Sequence, residues 1–259
     1  MTNNITILGA YGTKAKGFGT SSFYLNSKNV IDAGNLLNGL GEQCIEIENI
    51  WLTHSHLDHI CDIAYILDNY FTARKQTLNI IGLPDTIKAM KKYFLNDVIW
   101  PDFSNIKMIN SSFMALKYIE IEIGNKYSIG DNEFIEAYET DHSVPSCGYI
   151  YGNIDSSILI TADTYSLKST VEILENNLSI STLIVECSFP SRLENLAIES
   201  KHLTPKILLK ELKTLKRDNI RIYINHLKPL FIDEIKDEIM NNFGIKGIKI
   251  VKDGEILNF

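Results

Sequence analysis

Three histidines and one aspartate crowd into the hexapeptide His54-Ser-His56-Leu-Asp58-His59. Neutral imidazoles and carboxylates are the donors that borderline cations such as zinc, manganese and iron accept. A single isolated histidine is ordinarily a satisfied core or surface residue, but four donor residues in six positions are not explained that way. The run follows Ile50-Trp51-Leu52-Thr53, which reads as a buried strand stopping at His54. After it, Ile60, Ile63, Ala64, Ile66, Leu67 and Tyr70 recur at helical spacing up to about Ala73. A loop between strand and helix can curl so that all four donors converge. That geometry suits two cations, with His54 and His56 on one and Asp58 and His59 on the other.

The elements that must hold this loop can be read on either side of it. The first third alternates short apolar strands, Ile5–Leu8, Ser22–Leu25 and Asn29–Asp32, with glycine-rich turns, which suggests an antiparallel start. A strand at Thr77–Ile81 leads to a helix opening at Pro84-Asp85, where the missing proline N–H does no harm. Further strands are expected at Ile106–Ile109, Leu116–Ile123 and Glu133–Tyr138. The second half echoes the scheme, with strands at Gly148–Tyr151, Ser157–Thr161, Thr182–Glu186 and Ile220–Asn225. Its expected helices are Lys168–Asn176, Pro205–Lys216 and Ile232–Asn242, and the tail Ile248–Asn258 reads as a hairpin turned at Asp253-Gly254. Strand blocks covered by helices in both halves imply an α/β fold, an αββα sandwich of two packed mixed sheets with outer helices.

A chain of 259 residues with 45% hydrophobic and 22% charged residues, and with its glycines and prolines dispersed, is expected to form a single domain spanning 1–259. The net charge of −7 argues against a long polyanion as partner, since non-specific nucleic-acid binding depends on lysine and arginine. Lys88, Lys91 and Lys92, and Lys210, Lys213, Lys216 and Arg217, read as solvated helix faces. The N-terminus shows no secretory pattern, no apolar run approaches membrane-spanning length, and Cys44, Cys61, Cys147 and Cys187 form no Cys-x-x-Cys pair. The expectation is a cytoplasmic protein with reduced thiols and no membrane partner.

His-x-His-x-Asp-His after a strand resembles the signature of the metallo-β-lactamase fold hydrolases. The resemblance covers nearly the whole chain, because further donors follow in order: His142 in Glu139-Thr-Asp-His142-Ser, Asp163 in Leu159-Ile-Thr-Ala-Asp163-Thr, and His226 in Tyr223-Ile-Asn-His226. It implies that His54, His56 and His142 hold one ion, Asp58, His59 and His226 the other, and that Asp163 lies between them. Two Zn2+ are implied, with Mn2+ or Fe2+ as alternatives. This chain has Asp62 where the family usually has Gly or Ser. Two readings stay open there: a partner for a ligating imidazole, or a helix N-terminal acid answering the dipole.

The fold hosts several chemistries, so the donors alone do not choose a substrate. Cys61, the cysteine nearest the motif, reads as a small core residue. Val185-Glu186-Cys-Ser-Phe-Pro190 followed by Ser200-Lys-His202-Leu-Thr-Pro205 resembles the phosphodiester-cleaving branch, which includes the class II cyclic-nucleotide phosphodiesterases and the tRNA 3′-processing endonucleases. The His-x-His-Leu-Asp-His form, Asp32-Ala-Gly-Asn-Leu-Leu-Asn-Gly-Leu40 and His202-Leu-Thr-Pro before a helix look most like the class II enzymes. The implied reaction hydrolyses a 3′,5′-cyclic nucleotide, cyclic AMP or cyclic GMP, to the 5′-monophosphate. Phosphodiester cleavage needs an attacking hydroxide, charge stabilisation and a proton for the leaving oxygen; two cations about 3.5–4 Å apart supply the first two. Asp58 is the candidate acceptor of the water's proton, His202 the candidate general acid or phosphate contact, and Glu186 its orienting carboxylate. Tyr11, Phe18, Tyr165 and Phe189 are the candidates for stacking on a base. The expected partner is a small phosphodiester, with nucleic acid disfavoured and a homodimer in keeping with the family. The competing readings are a tRNA-processing type of endonuclease, a thioester or lactone hydrolase of the same fold, and a non-catalytic binding module.

Overall fold

The structure, a computed structural model, describes residues 3–130, 132–241 and 247–259. Among these, fourteen strands build two sheets of seven. The first sheet contains β1 (Asn4–Gly9), β2 (Ser22–Asn26), β3 (Asn29–Ile31), β4 (Asn49–Trp51), β5 (Leu78–Gly82) and β6 (Leu116–Glu120). The second contains β7 (Lys126–Gly130), β8 (Glu133–Glu139), β9 (Cys147–Gly152), β10 (Ser157–Ile160), β11 (Ile180–Glu186), β12 (Arg221–Asn225) and β13 (Ile248–Ile250), while β14 (Ile256–Asn258) returns to the first beside β1. Both sheets follow one plan. Pairing is antiparallel along β14-β1-β2-β3 and along β7-β8-β9-β10, then parallel along β3-β4-β5-β6 and along β10-β11-β12-β13.

Side-chain alternation along the strands explains the layers. In β4, Trp51 faces the second sheet and joins the core with Tyr149, Ile31 and Ile81, whereas Ile50 faces outward. The outward set, Val30, Ile50, Leu78 and Ile80, is covered by α1 (Leu36–Leu40), by α2 (Leu57–Tyr70) through Ile60, Ile63, Ile66 and Leu67, and by α3 (Pro84–Ala89) through Ile87. On the far face of the second sheet lie α4 (Lys168–Asn176), α6 (Pro205–Leu212) and α7 (Ile232–Asn241), which contribute Leu174, Leu208, Leu212, Ile235 and Ile239. The layering expected from the sequence is the one observed. Asn242, expected as the last residue of the final helix, lies outside the described residues.

Several local expectations are corrected. The tail is no hairpin: β13 runs parallel to β12 and β14 pairs with β1, so the turn at Asp253-Gly254 carries the chain from one sheet to the other. The Asp253 carboxylate accepts from the N–H groups of Ala10 (2.8 Å) and Gly19 (2.7 Å), which pins that turn against the end of β1. Residues 106–109 form a single bridge, Lys107 with Met114, after a 3-10 turn whose N–H at Ser104 is capped by Asp102. The helix from Pro205 stops at Leu212: the N–H groups of Thr214 and Leu215 turn to the carbonyls of Glu211 and Leu212, three residues back, and those of Lys216 and Arg217 go to Glu175. Arg217 is no free cation either; its guanidinium donates to the carbonyls of Leu174, Asn177 and Ile180.

At the N-terminal ends of β3, β4 and β5 an asparagine ladder crosses the sheet. Asn79 donates to Asn49 (2.8 Å), Asn49 to Asn29 (3.0 Å) and Asn29 to Asn26 (2.9 Å). Asn29 also accepts from the Trp51 indole and donates to the Ile129 carbonyl of the other sheet. Buried polar groups that lose their partners each cost about 1–3 kcal/mol. Asn29→Ala is therefore expected to cost about 3 kcal/mol, lowering the melting temperature in a thermal scan by about 6–12 °C. A shift of under 2 °C would deny the ladder its role in holding the sheets together.

Candidate metal centre

The four strands β8, β10, β11 and β12 run in one direction, and their C-terminal ends deliver His142, Asp163, Glu186 and His226 to one place. The carboxyl ends of strands are where ligands bind in such sheets, since the chain leaves regular pairing there and its loops converge. From the first sheet, the loop after β4 adds His54 and His56, and the opening turn of α2 adds Asp58 and His59. Two close clusters result, His54, His56, His142 with Asp163, and Asp58, His59 with His226; within each, the potential ligand atoms lie within 4.8 Å of one another. His56 Nδ1 is 3.2 Å from His142 Nε2. Asp163 spans the clusters, one oxygen 3.7 Å from His54 Nε2 and 3.4 Å from His59 Nε2, the other 3.1 Å from His226 Nε2.

In four of the five rings, those of His54, His59, His142 and His226, the opposite nitrogen is held by the fold. His59 Nδ1 lies 2.7 Å from the carboxylate of Asp32, and His54 Nδ1 lies 3.0 Å from the hydroxyl of Thr53, which itself donates to Asp32. His142 donates from Nδ1 to the Lys201 carbonyl, 3.0 Å away. His226 Nδ1 lies 2.9 Å from Ser188 Oγ, whose proton goes to Glu186. With the Nδ1 protons placed in these bonds, Nε2 of these four rings turns a lone pair inward. Nε2 of His54, His59 and His226 and Oδ1 of Asp163 are buried and make no hydrogen bond, a costly arrangement for polar atoms that no cation is to satisfy. The donor set, all nitrogen and carboxylate oxygen, is that of zinc and its neighbours, so the residues fit two such ions.

Electrostatics point the same way. Burial first, then the neighbouring imidazoles, push His54 well down, and the same causes bring His56 down to about 4. Burial also lowers His142. For Asp163, burial alone would raise the pKa, but His226 and His59 overcome it and hold the carboxylate ionised. Neutral imidazoles and carboxylates are the forms that bind a cation. His59 goes the other way: burial is outweighed by Asp163 and Asp32, two carboxylates that favour a positive charge at this place.

Backbone geometry at the site is unusual. Asp32, Ala162 and His226 follow β3, β10 and β12 with φ of 56°, 53° and 61°, the left-handed region that costs a non-glycine residue about 1–2 kcal/mol. Gly12 packs so tightly on His226 that an added Cβ would sit 2.6 Å from its Nδ1.

The sequence of residues 27–183, more than half of the chain, matches the family model of class-II cAMP phosphodiesterases. The chain belongs to that family. It is 24% identical over 213 residues to 3′,5′-cyclic-nucleotide phosphodiesterase 1 of Saccharomyces cerevisiae, covering 70% of this chain and 56% of the relative, so it spans little over half of that protein's length. A ribonuclease Z of Methanococcus aeolicus is 23% identical over 266 residues, 78% of this chain and 79% of that one. Among solved structures, yeast PDE1 superposes with a TM-score of 0.81 at 20% identity, over 100% of both chains. The metallo-β-lactamase fold protein YhfI of Bacillus subtilis superposes at 0.76 and 20% identity, over 100% of this chain and 99% of that one. These structural likenesses establish the metallo-β-lactamase fold of the class-II chain.

Beside the two clusters, His202 and Glu186 form a buried pair with Nδ1–Oε1 of 2.8 Å, and a ring nitrogen of His202 lies within 4.8 Å of ligand atoms of Asp163 and His226. Glu186 also accepts from the Thr164 and Leu203 N–H groups. Sequence reasoning missed Asp32, Thr53 and Ser188 as partners of the imidazoles. It left Asp62 open between two roles, and the geometry decides: Asp62 accepts from the N–H of Leu37 in α1, so it answers a helix start, though of the neighbouring helix, and touches no imidazole. Cys61 is half-buried and lines a cavity beside Asp58 rather than the core.

Ser188→Ala would strip His226 of its Nδ1 partner and Glu186 of a donor while leaving every candidate ligand in place. The expected result is a 10–100-fold weaker affinity for metal, read by titrating the metal-free protein against a chelator of known strength. Unchanged affinity would show that the hydroxyl does not orient His226.

Proposed function

We propose that this class-II protein hydrolyses 3′,5′-cyclic nucleotides to 5′-monophosphates at a centre of two zinc ions. His54, His56 and His142 hold one ion and Asp58, His59 and His226 the other, with Asp163 between them. The observation that carries this reading is the paired donor clusters with the His202–Glu186 pair alongside. Two cations bound there would neutralise phosphate charge and lower the pKa of a bound water. Asp58, 27% exposed and held as a carboxylate by His226 and His59 against the effect of burial, takes up the water's proton. The water oxygen adds to phosphorus, the bond from phosphorus to the 3′ oxygen breaks, and His202 delivers its proton to that oxygen. Glu186 keeps Nδ1 of His202 protonated and its ring turned to the site.

The ribonuclease Z likeness favours RNA as the second reading. The net charge of −7 weighs against it, because RNA binding draws on basic surface. The test is turnover of cyclic AMP, cyclic GMP, an unprocessed tRNA and a thioester by one preparation. Release of 5′-monophosphate from a cyclic nucleotide supports the proposal; cleavage of tRNA alone moves the assignment to an endonuclease, and thioester turnover indifferent to His202 moves it to an ester hydrolase.

A further inference from the structure

An open cavity of 450 Å³ adjoins the metal centre, and one of its walls belongs to α2. Leu57, Asp58, Cys61 and Tyr65 all line it; Cys61 follows Leu57 by four residues and Asp58 by three, and Tyr65 follows Cys61 by four, spacings that place side chains on one helix face. Lys14 and Lys228 line it from outside that helix. Lys228 is fixed there by a bond from Nζ to the Gly12 carbonyl, 2.6 Å, and by its place 5.8 Å from the Phe189 ring centre. At the inner end, Asp58 comes within 3.5 Å of His226. At the outer end stands Tyr65, seven residues further, or about 10 Å at 1.5 Å per residue.

Two apolar side chains in this wall are left to solvent, Leu57 at 65% and Tyr65 at 50% exposure. The Tyr65 ring is not loose: Trp100 meets it edge-on with centroids 5.5 Å apart. A cavity of this size suits a small ligand. It joins a phosphate-handling end to a cationic flank and a held aromatic ring, at a separation comparable with the reach from phosphate to base in one nucleotide. The aromatic residues expected from the sequence to stack on a base are less suited. Tyr11 and Phe189 are buried, Tyr11 is packed edge-on against Phe18, and Tyr165 is packed against the core.

Resting on the phosphodiesterase reading above, we propose that this cavity is the nucleoside subsite, with the base stacked on Tyr65, the sugar against Leu57 and Cys61, and Lys14 and Lys228 flanking the phosphate. Stacking on one aromatic ring accounts for roughly ten- to hundredfold in affinity for a base. The test compares kcat/KM for cyclic AMP with that for methyl p-nitrophenyl phosphate, a diester with no base, in wild type, Tyr65→Ala, Tyr65→Phe and Leu57→Ser. The ratio of cyclic AMP to baseless diester is expected to fall about tenfold or more in Tyr65→Ala, through KM rather than kcat, and to recover in Tyr65→Phe. Leu57→Ser, at an exposed position remote from the Trp100 contact, should lower the ratio in the same direction. An unchanged ratio in both Tyr65→Ala and Leu57→Ser overturns the subsite while leaving the phosphodiesterase reading intact. Wild-type turnover of the baseless diester without any of cyclic AMP overturns that reading itself, and the subsite with it.

Discussion

Replacing His202 with alanine is expected to lower kcat for cyclic-nucleotide hydrolysis by about 10²–10⁴, the usual contribution of a positioned general acid, with metal content unchanged. His202 is buried beside the clusters, and its ring stacks on that of His226 at 5.4 Å. Burial by itself would lower its pKa; the Glu186 carboxylate, bonded at 2.8 Å, and then Asp163 outweigh this and raise it above the ordinary histidine value. A raised pKa in the folded state means that folding favours the protonated ring. That contribution to stability is complete below the unfolded value of roughly 6.5 and disappears as pH rises through the folded one. The acid form therefore persists to higher pH than in a free imidazole. Glu186→Gln removes the charge but keeps the shape, and should move the alkaline limb of kcat to lower pH. A pH–rate profile superimposable on wild type would contradict the pairing, and full activity in His202→Ala would remove the general acid from the account.

Gly34→Ala should be more damaging than its size suggests. A Cβ at Gly34 would lie 2.0 Å from the carbonyl oxygen of Asp58 and 2.4 Å from Thr20 Oγ1, and the first of these is backbone that cannot rotate aside. The surrounding bonds tie the segment after β3 to the first turn of α2: Ala33 N–H donates to the His59 carbonyl and Asp62 N–H to the Ala33 carbonyl. Relief of the clash must therefore displace Asp58 and His59 together. Overpacking of this kind costs about 3 kcal/mol, and a misplacement of about 1 Å at a reacting centre costs about 10² in rate. Both losses are expected, a melting temperature lower by about 6–12 °C and a hundredfold lower kcat at a temperature where the variant is folded. Wild-type metal affinity and rate in the folded variant would show that α2 does not depend on this contact.

These two residues mark what a single sequence can and cannot reveal. The candidate ligands were legible because four of them crowd into one six-residue run after an apolar strand, and the family resemblance of that run pointed to His142, Asp163 and His226 further along. Asp32 was quoted only as part of a stretch resembling a family, since its partner His59 is 27 residues away and meets it only once β3 and β4 lie side by side in parallel. Ser188 is inconspicuous for the same reason, its partner His226 being 38 residues distant. The signal for both was present: Asp32 precedes Ala-Gly at a strand end, and Ser188 follows Glu186-Cys. The helix α5 (Glu194–Ser200) escaped notice because it has no capping side chain and buries only Ala197, so it carries no amphipathic stripe. Yet its left-handed terminal residue, Lys201, turns its carbonyl to His142 and leads His202 into the site. Tyr65 was hidden in a helical pattern whose buried face drew attention away from its exposed one. The tail misled because Asp-Gly is a good hairpin turn by local chemistry, and only the bonds from Ala10 and Gly19 to Asp253 redirect it.

The most direct test of a two-ion phosphodiesterase is to strip the protein of metal and titrate zinc back while following release of 5′-AMP from cyclic AMP. The account predicts no turnover without metal, a rate that climbs to its maximum at two equivalents per chain, and neither full binding nor turnover in Asp163→Ala. Turnover that persists in the metal-free protein, or that saturates at one equivalent with the second cluster empty, would contradict it.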